Sequence, residues 1–299
     1  MTAAPPPGFL LIDKEQGWTS HDVVAKVRKP AGGKVGHAGT LDPMATGLLV
    51  LAIGRATRLL RFVQGAEKEY LATAQFGVAT DSLDADGAVL SREPMSVDQA
   101  QIEAVLGRFR GDILQMPPMV SARKVEGKRL YELAREGKVV EREARPVTIH
   151  SLDLIDVAPS DYPEVTFRTV CSTGTYIRTL ADDIARALGG RAHLTALRRV
   201  RNGQLKVDMA KPVGLIVDEI ADRGIDTVLI PPSEALASLP EVRVDEAAEF
   251  RVRNGRRLEL RGDDDEFAGF VRVTSRTGEL LAVYRRATPD TLEAEVVIT

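Results

Sequence analysis

The apolar segments of this 299-residue chain are short, and most neighbouring segments have no helical pattern between them. Residues 8–13 and 47–53 have the length of buried strands, and residues 70–76 alternate like a half-buried strand. Further strands are predicted at about 145–157, 162–171 and 192–207. Because no helix separates each pair of strands, the pattern predicts an α+β fold with a mostly antiparallel, mixed central sheet flanked by helices.

Three helices are predicted in the same part of the chain. Thr19 is a capping residue, and the helix that it begins runs to about Lys29, where Pro30 and then Gly32 and Gly33 end it. Apolar residues recur at helical spacing through 97–109. A third helix is predicted at 178–188, stopped by the two glycines that follow it.

The last sixty residues differ in pattern from the rest. Residues 227–240 contain three prolines and small polar residues, which is typical of the approach to a domain boundary. We therefore predict a large domain at 1–239 and a small one at 240–299. Short alternating apolar runs with glycine and aspartate turns predict that the small domain is a β-barrel.

Net charge at first argues against a nucleic-acid partner. The chain has 40 Lys and Arg residues against 43 Asp and Glu residues, a net charge of −3, whereas dedicated nucleic-acid binders are usually basic. The charge is unevenly spread, however, because residues 107–146 contain ten basic and six acidic residues. A positive field therefore remains in the middle of the chain, suited to a phosphate backbone.

Composition narrows the class of protein further. Hydrophobic residues make up 44% of the chain and charged residues 28%, which excludes a disordered or fibrous protein. Cys171 is the single cysteine, so no internal disulfide forms, and with four dispersed histidines a zinc site is not expected. Neither a signal peptide nor an 18-residue apolar stretch is present, so we expect a cytoplasmic protein without a membrane span.

The densest candidate site is the segment 36–47, GHAGTLDPMATG. Three glycines and a proline between a predicted helix and a predicted strand require an ordered loop with unusual backbone angles. Asp42 is the single carboxylate in this loop, and the following Pro43 restricts its backbone. Local chemistry leaves two interpretations open: a held catalytic carboxylate, or an Asx turn in which Asp42 only bonds the backbone.

A second cluster is CSTGTYIRTL, residues 171–180, where a strand ends and a helix begins. Arg178 in the first turn opposes the helix dipole, so we expect it to pair with a carboxylate or a phosphate. If its partner is Asp42, the pair lies in a cleft and the ionised carboxylate can act as a nucleophile.

Two other segments admit structural explanations. Tyr70 in KEYLATAQFG is, by default, a core aromatic with a satisfied hydroxyl. The segment TDSLDADG, residues 80–87, is similar to a calcium loop, but Leu83 stands where a ligand belongs and the distal glutamate is missing. We therefore expect no calcium site there.

Seven segments in order resemble one family. They are GFLLIDKEQGWTSHDVV, GHAGTLDPMATGLL, KEYLATAQFG, TDSLDADG, QMPPMVSARKVEGKRLYELAR, CSTGTYIRTLADDIA and HLTALRRVRNG. Together they span residues 8–203 and resemble the TruB family of tRNA pseudouridine synthases, which isomerise the uridine at position 55 in the T loop. The resemblance implies a pseudouridine synthase fold, a tRNA partner bound at its T stem-loop, a monomer, and no metal or cofactor.

The same resemblance implies roles for individual residues. Asp42 would be the catalytic aspartate, Tyr70 the aromatic that stacks on the target base and accepts its proton, and Arg178 the partner of the nucleophile. Residues 120–147 would be a thumb-like insertion that closes on the RNA, and 240–299 a PUA-like RNA-binding domain. The implied substrate-binding residues are Lys14, His37, Asp84, Arg123, Lys124, Lys128, Arg129, Tyr176 and Leu197.

Three alternative functions are weighed against this one. A guide-RNA-dependent synthase of the same superfamily would share the Asp42 loop, although the basic insertion favours a stand-alone enzyme. A non-catalytic RNA-binding or tRNA-folding protein with this fold would not need Asp42, Tyr70 and Arg178 together. A glycosidase needs two neighbouring carboxylates, and the Asp42 loop offers one.

Overall fold

The computed structural model describes residues 5–119, 140–259 and 269–298, and for 124–125 and 128–129 the backbone alone. Its strands are β1 (Gly8–Lys14), β2 (Val35–His37), β3 (Thr46–Ile53), β4 (Lys68–Phe76), β5 (Val78–Thr80), β6 (Val89–Arg92), β7 (Gly111–Gln115), β8 (Lys124–Val125), β9 (Lys128–Arg129), β10 (Arg145–Ala158), β11 (Glu164–Cys171), β12 (Ala192–Asn202), β13 (Leu205–Lys206), β14 (Lys211–Pro212), β15 (Glu241–Arg243), β16 (Leu258–Glu259), β17 (Phe270–Thr274), β18 (Leu280–Thr288) and β19 (Thr291–Val297).

Ten strands form one large sheet. The order is β14-β1-β3-β12-β4-β11-β10-β7, with β2 added to β3 and β13 added to β12. Within the described chain, β1 pairs with β14 and β3 with β12 in parallel, and the other pairs of this sheet are antiparallel. The predicted α+β fold with a mostly antiparallel, mixed sheet is confirmed.

The described helices are α1 (Ser20–Ala31), α2 (Leu60–Gln64), α3 (Gln99–Leu106), α4 (Ile177–Ala187), α5 (Val213–Arg223), α6 (Pro232–Ala235) and α7 (Glu246–Arg253). The helices α1, α3, α4 and α5 share one apolar core with the large sheet. None of the described helices combines the length and hydropathy that a membrane span requires. The core therefore fixes α4, which begins next to the candidate site, against the face of the sheet.

Helix α1 begins where the sequence predicts and ends later. Thr19 accepts the Asp22 N–H at 3.1 Å, and the Asp22 carboxylate accepts the Thr19 N–H at 3.0 Å, which completes a capping box. Of the two predicted stop signals, Pro30 does not end the helix, because α1 includes it, whereas Gly32 does, with a φ of 67°. A proline in the last turn removes one hydrogen bond at most, so the helix tolerates it there.

Two further elements differ from the sequence prediction. The strand predicted at 192–207 is two strands, since Gly203 turns the chain with a φ of 59° and β13 folds back onto β12. Helix α5 is absent from the predicted helices. Its apolar spacing, with Val213, Ile216 and Ile220 buried, is a helical signal that the sequence analysis did not use.

The C-terminal residues form a separate curled sheet of five strands in the order β15-β17-β18-β19-β16. A small apolar core lies between this sheet and α7, and it includes Val252, Leu281 and Tyr284. The predicted β fold of the C-terminal residues is confirmed.

The two sheets also share an apolar cluster. Strand β1 has Leu10 and Ile12 in the large core, whereas Phe9 and Leu11 point to the opposite face. That opposite face packs against side chains of the C-terminal sheet, namely Leu280, Val283, Val296 and Ile298. Strand β1 is thus buried on both faces, which explains its continuous apolar sequence.

Polar and aromatic contacts reinforce this junction. Arg58 donates a hydrogen bond to the carbonyl of Val297 at 2.8 Å, and Arg61 pairs with Glu295 at 2.6 Å. The rings of Phe62 and Phe270 meet edge to face with 5.0 Å between their centres. The C-terminal sheet is therefore fixed on the large domain.

The shared cluster predicts that the two domains unfold together. We expect Leu280→Ala to lower the free energy of unfolding by about 2–5 kcal/mol, because it opens a cavity in the cluster. The loss should be reported by the single tryptophan, Trp18, which packs on the other core in the large domain. A denaturant titration followed by Trp18 fluorescence measures it, and an unchanged Trp18 midpoint would contradict the coupling.

Candidate active site

Strand register places four pocket residues side by side on the central strands. Tyr70 on β4 lies opposite Arg199 on β12, and two residues further along Leu197 lies opposite Ala72. Lys68 precedes Tyr70 by two residues and so belongs to the same face of β4. Cross-strand neighbours share a face. This face of β4 and β12 therefore forms the floor of the candidate site.

The loop that carries Asp42 joins β2 to β3 and is anchored on both sides of this residue. The Leu41 N–H donates to the Ser20 hydroxyl at 2.9 Å, and that hydroxyl donates to the Leu41 carbonyl at 3.2 Å. The Gly17 N–H donates to the carbonyl of Pro43 at 2.8 Å. The Asp42 side chain therefore points in a direction that the neighbouring backbone fixes.

Arg178 holds the Asp42 carboxylate from the first turn of α4. Its Nε lies 3.0 Å from Asp42 Oδ2 and its Nη2 lies 3.2 Å from Asp42 Oδ1, a bidentate pair. Its Nη1 lies 3.3 Å from Asp84 Oδ2 and donates to the Ser82 carbonyl at 2.7 Å. The structure therefore brings Asp42, Asp84 and Arg178 into one network, with the guanidinium between the two carboxylates.

Asp84 is presented by a tight turn rather than by a calcium loop. Its Oδ1 accepts from the Ser82 hydroxyl at 2.5 Å and from the Asp86 N–H at 3.2 Å, so it closes an Asx turn. Leu83 adopts a φ of 62°, unusual for a leucine, and its carbonyl accepts the Leu194 N–H of β12 at 3.0 Å. The turn is thereby pinned to the central sheet, with Asp84 facing Arg178.

Burial and charge act in opposite directions on Asp42. Burial raises the pKa of the Asp42 carboxyl above its ordinary value, and the Asp84 carboxylate raises it further, whereas the Arg178 guanidinium lowers it. The side chain of Asp42 is still 34% exposed, against 4% for that of Arg178. Asp42 is therefore the member of the pair that a substrate can reach.

A cavity of about 250 Å³ opens in front of Asp42. Its walls are residues 39–42, 172–178, Lys68, Tyr70, Leu197 and Arg199. Typical small-molecule pockets measure roughly 300–1,000 Å³, so this cavity suits only a small ligand group. A wider groove of about 1210 Å³ runs between Pro5–Pro7 and the C-terminal sheet, but Asp42 and Arg178 are not part of its walls.

Tyr70 contributes both a ring and a hydroxyl to the cavity. It is 8% exposed, so most of the ring is already packed. Burial raises the pKa of the Tyr70 phenol, and the adjacent Arg199 guanidinium partly offsets this by lowering it. The phenol is therefore neutral near pH 7, which suits stacking against a base.

Tyr176 is held at the N-terminus of α4 by a residue that the sequence analysis missed. Its N–H donates to Gln115 Oε1 at 2.7 Å, and Gln115 Nε2 donates to its carbonyl at 3.1 Å. Gln115 is only 2% exposed. Lys68 and Arg199 were likewise missed as pocket residues, since only the register of β4 and β12 shows that they share a face with Tyr70.

Lys14 and His37 lie outside the cavity wall. Lys14 is 1% exposed and donates to the carbonyls of Glu15, Trp18 and Pro43 at 2.9, 2.7 and 3.3 Å. Burial lowers its pKa to about 8. The geometry thus makes Lys14 a support for the Asp42 loop rather than a contact for RNA. Burial also lowers the pKa of His37, whose ring meets His21 edge to face at 5.5 Å.

The basic residues of the expected thumb-like insertion cannot be placed in the same way. Arg123 lies outside the described residues, as do the side chains of Lys124, Lys128 and Arg129, whose backbone pairs in the β8–β9 hairpin. In the described part of the chain, no three His, Cys, Asp or Glu side chains are grouped to hold a metal ion.

Two solved structures resemble this one over nearly its whole length. A chain of a Cbf5–Nop10–Gar1 complex is 26% identical with a TM-score of 0.77, and covers 98% of this chain and 85% of its own. A chain of an archaeal box H/ACA sRNP Nop10–Cbf5 complex is 25% identical with a TM-score of 0.73, and covers 98% and 86%.

Curated relatives are more similar in sequence. The tRNA pseudouridine synthase B of Burkholderia lata is 44% identical over 98% of this chain and 90% of its own length. The protein of the same name from Solibacter usitatus is 41% identical over 97% and 99%. The family model for the N-terminal domain of TruB family pseudouridylate synthases matches residues 26–177, which include Asp42 and Tyr70 and the cavity wall except for Arg178, Leu197 and Arg199. By sequence, fold and site geometry, this chain belongs to the TruB family of pseudouridylate synthases.

Proposed function

We propose that this protein isomerises uridine to pseudouridine at position 55 in the T loop of tRNA. The observation that carries the proposal is the Asp42–Arg178 ion pair in the wall of a small cavity, beside Tyr70. The relatives named tRNA pseudouridine synthase B support tRNA as the substrate. The position within the tRNA follows from the family resemblance of segments 36–47 and 171–180.

The target uridine must leave the folded RNA before it reaches Asp42. Extruding a base costs on the order of a few kcal/mol. Stacking the extruded base on an aromatic ring returns about 1–3 kcal/mol. Tyr70 provides that ring, and Leu197 packs at the same wall.

The chemistry moves the sugar from N1 to C5 of the same uracil. The C1′–N1 bond breaks with its electron pair left on the uracil, a C1′–C5 bond forms, and the C5 proton is lost while N1 gains one. No net oxidation occurs and no water is consumed, so we propose that neither metal nor cofactor takes part. Asp42 supplies the reacting carboxylate and Arg178 orients it. Because the Tyr70 phenol is neutral, its hydroxyl accepts the C5 proton while its own proton passes to N1 of the same uracil.

The glycosidase alternative fits the geometry less well. A glycosidase needs two carboxyl groups on either side of the bond that breaks. Asp84 is the nearest second carboxylate to Asp42 in the Arg178 network, but it is 5% exposed and absent from the cavity wall. Among the described residues, the cavity wall thus offers the substrate one carboxylate, that of Asp42.

The remaining expectations extend this proposal. We propose that the enzyme acts as a monomer, as the family resemblance implies, and in the cytoplasm, where tRNA is modified. Residues 1–239 would form the catalytic domain with its thumb-like insertion at about 120–147, and residues 240–299 the PUA-like domain. The T stem-loop would bind across the mouth of the cavity.

Incubating the protein with an unmodified tRNA transcript, without guide RNA, metal or cofactor, should give pseudouridine at position 55. Asp42→Asn should abolish the product and leave RNA binding within about tenfold, because the substitution removes charge and little volume. Mapping of pseudouridine in the transcript measures the first and filter binding the second. If the Asn variant still forms product at a substantial rate, Asp42 is not the reacting group.

Tyr70→Phe should keep the stacking ring and lose the proton acceptor. We therefore expect RNA binding within about threefold of the parent and a rate of pseudouridine formation lower by about 10²-fold or more, the usual contribution of a positioned acid or base. Single-turnover kinetics on the transcript would measure the rate. A near-normal rate would leave Tyr70 with a stacking role alone.

Asp84→Asn should shift the acid limb of the pH–rate profile to lower pH. The Asp84 carboxylate raises the pKa of Asp42, so removing its charge lowers that pKa, and Asp42 stays ionised in more acidic buffer. Asp86→Asn, on the exposed side of the same turn, is the matched control and should leave the limb in place. If both variants keep the parent profile, the network does not tune Asp42.

A further inference from the structure

Two buried cations lie at the cavity wall and are not used in the chemistry above. Lys68 is 6% exposed and Arg199 is 1% exposed, and both line the cavity. They flank Gly39, where a Cβ would lie 3.6 Å from Arg199 Nη1 and 4.0 Å from Lys68 Cε. Two positive side chains therefore share the end of the pocket next to Tyr70.

In the described part of the chain, both cations donate to neutral carbonyl groups, and Arg199 also bonds the neutral Tyr70 phenol. Lys68 Nζ donates to the carbonyls of Gln64 and Ala66, each at 2.6 Å. Arg199 Nε donates to the carbonyl of Leu48 at 2.7 Å, and its Nη2 to that of Gly39 at 3.1 Å. These contacts hold the two side chains in place without neutralising them.

Two other arginines on β12 have acidic partners. Arg198 pairs with Asp13 at 2.7 Å, and Arg201 pairs with Glu69 at 2.9 Å. Among the described residues, no carboxylate lies within ion-pair distance of Lys68 or Arg199. Arg198 and Arg201 are thus neutralised by acidic partners, whereas Lys68 and Arg199 leave the cavity wall with an excess of positive charge.

Two buried positive charges without an acidic partner among the described residues raise the free energy of the empty pocket. Burial and the nearby Arg199 charge lower the pKa of Lys68 to about 8. Buried charges are normally paired, because removing them from water is costly. An anionic group that enters or develops in the cavity would offset this cost, and electrostatic stabilisation of developing charge is a large contribution to catalysis.

The proposed isomerisation produces such a group. Whether Asp42 attacks the sugar, removes a sugar proton or adds to the ring, the electron pair that is displaced moves onto the uracil and its carbonyl oxygens. A phosphate is a poorer fit, because both cations line a cavity of about 250 Å³ whose wall also includes Tyr70 and Leu197.

We propose that Lys68 and Arg199 stabilise the negative charge that develops on the uracil ring during the reaction. This inference rests on the proposed function. The electron pair of the C1′–N1 bond moves to the ring as that bond breaks, and returns to form the C1′–C5 bond. The two cations change no bond and transfer no proton, and they act only while the ring carries the charge.

Lys68→Met should lower the single-turnover rate by about 10²-fold or more, the usual cost of one stabilising donor, with RNA binding within about threefold. Arg201→Met is the matched control, because it removes a cation from the same sheet whose partner is Glu69, away from the cavity. If Lys68→Met reacts as fast as the control, the proposal is wrong. Absence of pseudouridine from the unmodified protein would instead refute the proposed function.

A modified substrate separates charge stabilisation from a folding defect. With 5-fluorouridine at the target position, the electron-withdrawing fluorine already stabilises the negative ring, so the rate defect of Lys68→Met in breaking the C1′–N1 bond should shrink at least fivefold. A merely structural role would give equal defects on the two RNAs, which would overturn the proposal.

The pH profile provides an independent measurement. Lys68 loses its charge above about pH 8, so the parent rate should fall through that range, and Lys68→Arg should move the fall to higher pH. The groups facing Lys68 are Arg199 from β12 and Cys171 from β11, whose pKa burial raises to about 11. Lys14 also has a pKa of about 8. If Lys68→Arg keeps the alkaline limb of the parent, the fall in rate would therefore be due to Lys14, and the role of Lys68 would be contradicted.

Discussion

The candidate site depends on one guanidinium shared by two carboxylates. Arg178 binds Asp42 through two nitrogens and reaches Asp84 with the third, while only 4% of its side chain is exposed. Removing either carboxylate leaves a buried charge with one partner fewer, which is costly in a site of low polarity. The network therefore couples three elements that are distant in sequence: the Asp42 loop, the Asp84 turn and the first turn of α4.

Rigid surroundings hold the Asp42–Arg178 ion pair in one orientation. The Asp42 loop is anchored through Leu41 and Pro43, and Gln115 fixes the backbone of Tyr176 at the start of α4. A reacting carboxylate held in one direction loses less conformational freedom when the substrate binds. The C-terminal sheet extends this rigid frame, since it shares an apolar cluster with β1 and β3.

Much of the fold was predictable because local signals agree with the final structure. The Thr19 cap, the alternating β4 and the apolar run of β3 all correspond to observed elements. The errors have specific physical causes: a proline is tolerated in the last turn of α1, and Gly203 breaks one predicted strand into two. The seven sequence segments that resemble the family also sufficed to predict that Arg178 pairs with Asp42. They did not predict that Asp84 pairs with the same guanidinium.

The sequence alone determined the fold class and the family. It also determined that the Asp42 loop is ordered, because glycine, proline and a lone carboxylate at this spacing constrain the backbone locally. Only the tertiary structure decided how the charges are distributed. The register of β4 against β12 brings Lys68, Tyr70 and Arg199 together, although 129 positions separate Tyr70 from Arg199 in the chain. Lys14, expected at the substrate, is instead buried under the loop. Pairing of buried charges depends on distances between distant segments, which a linear pattern does not contain.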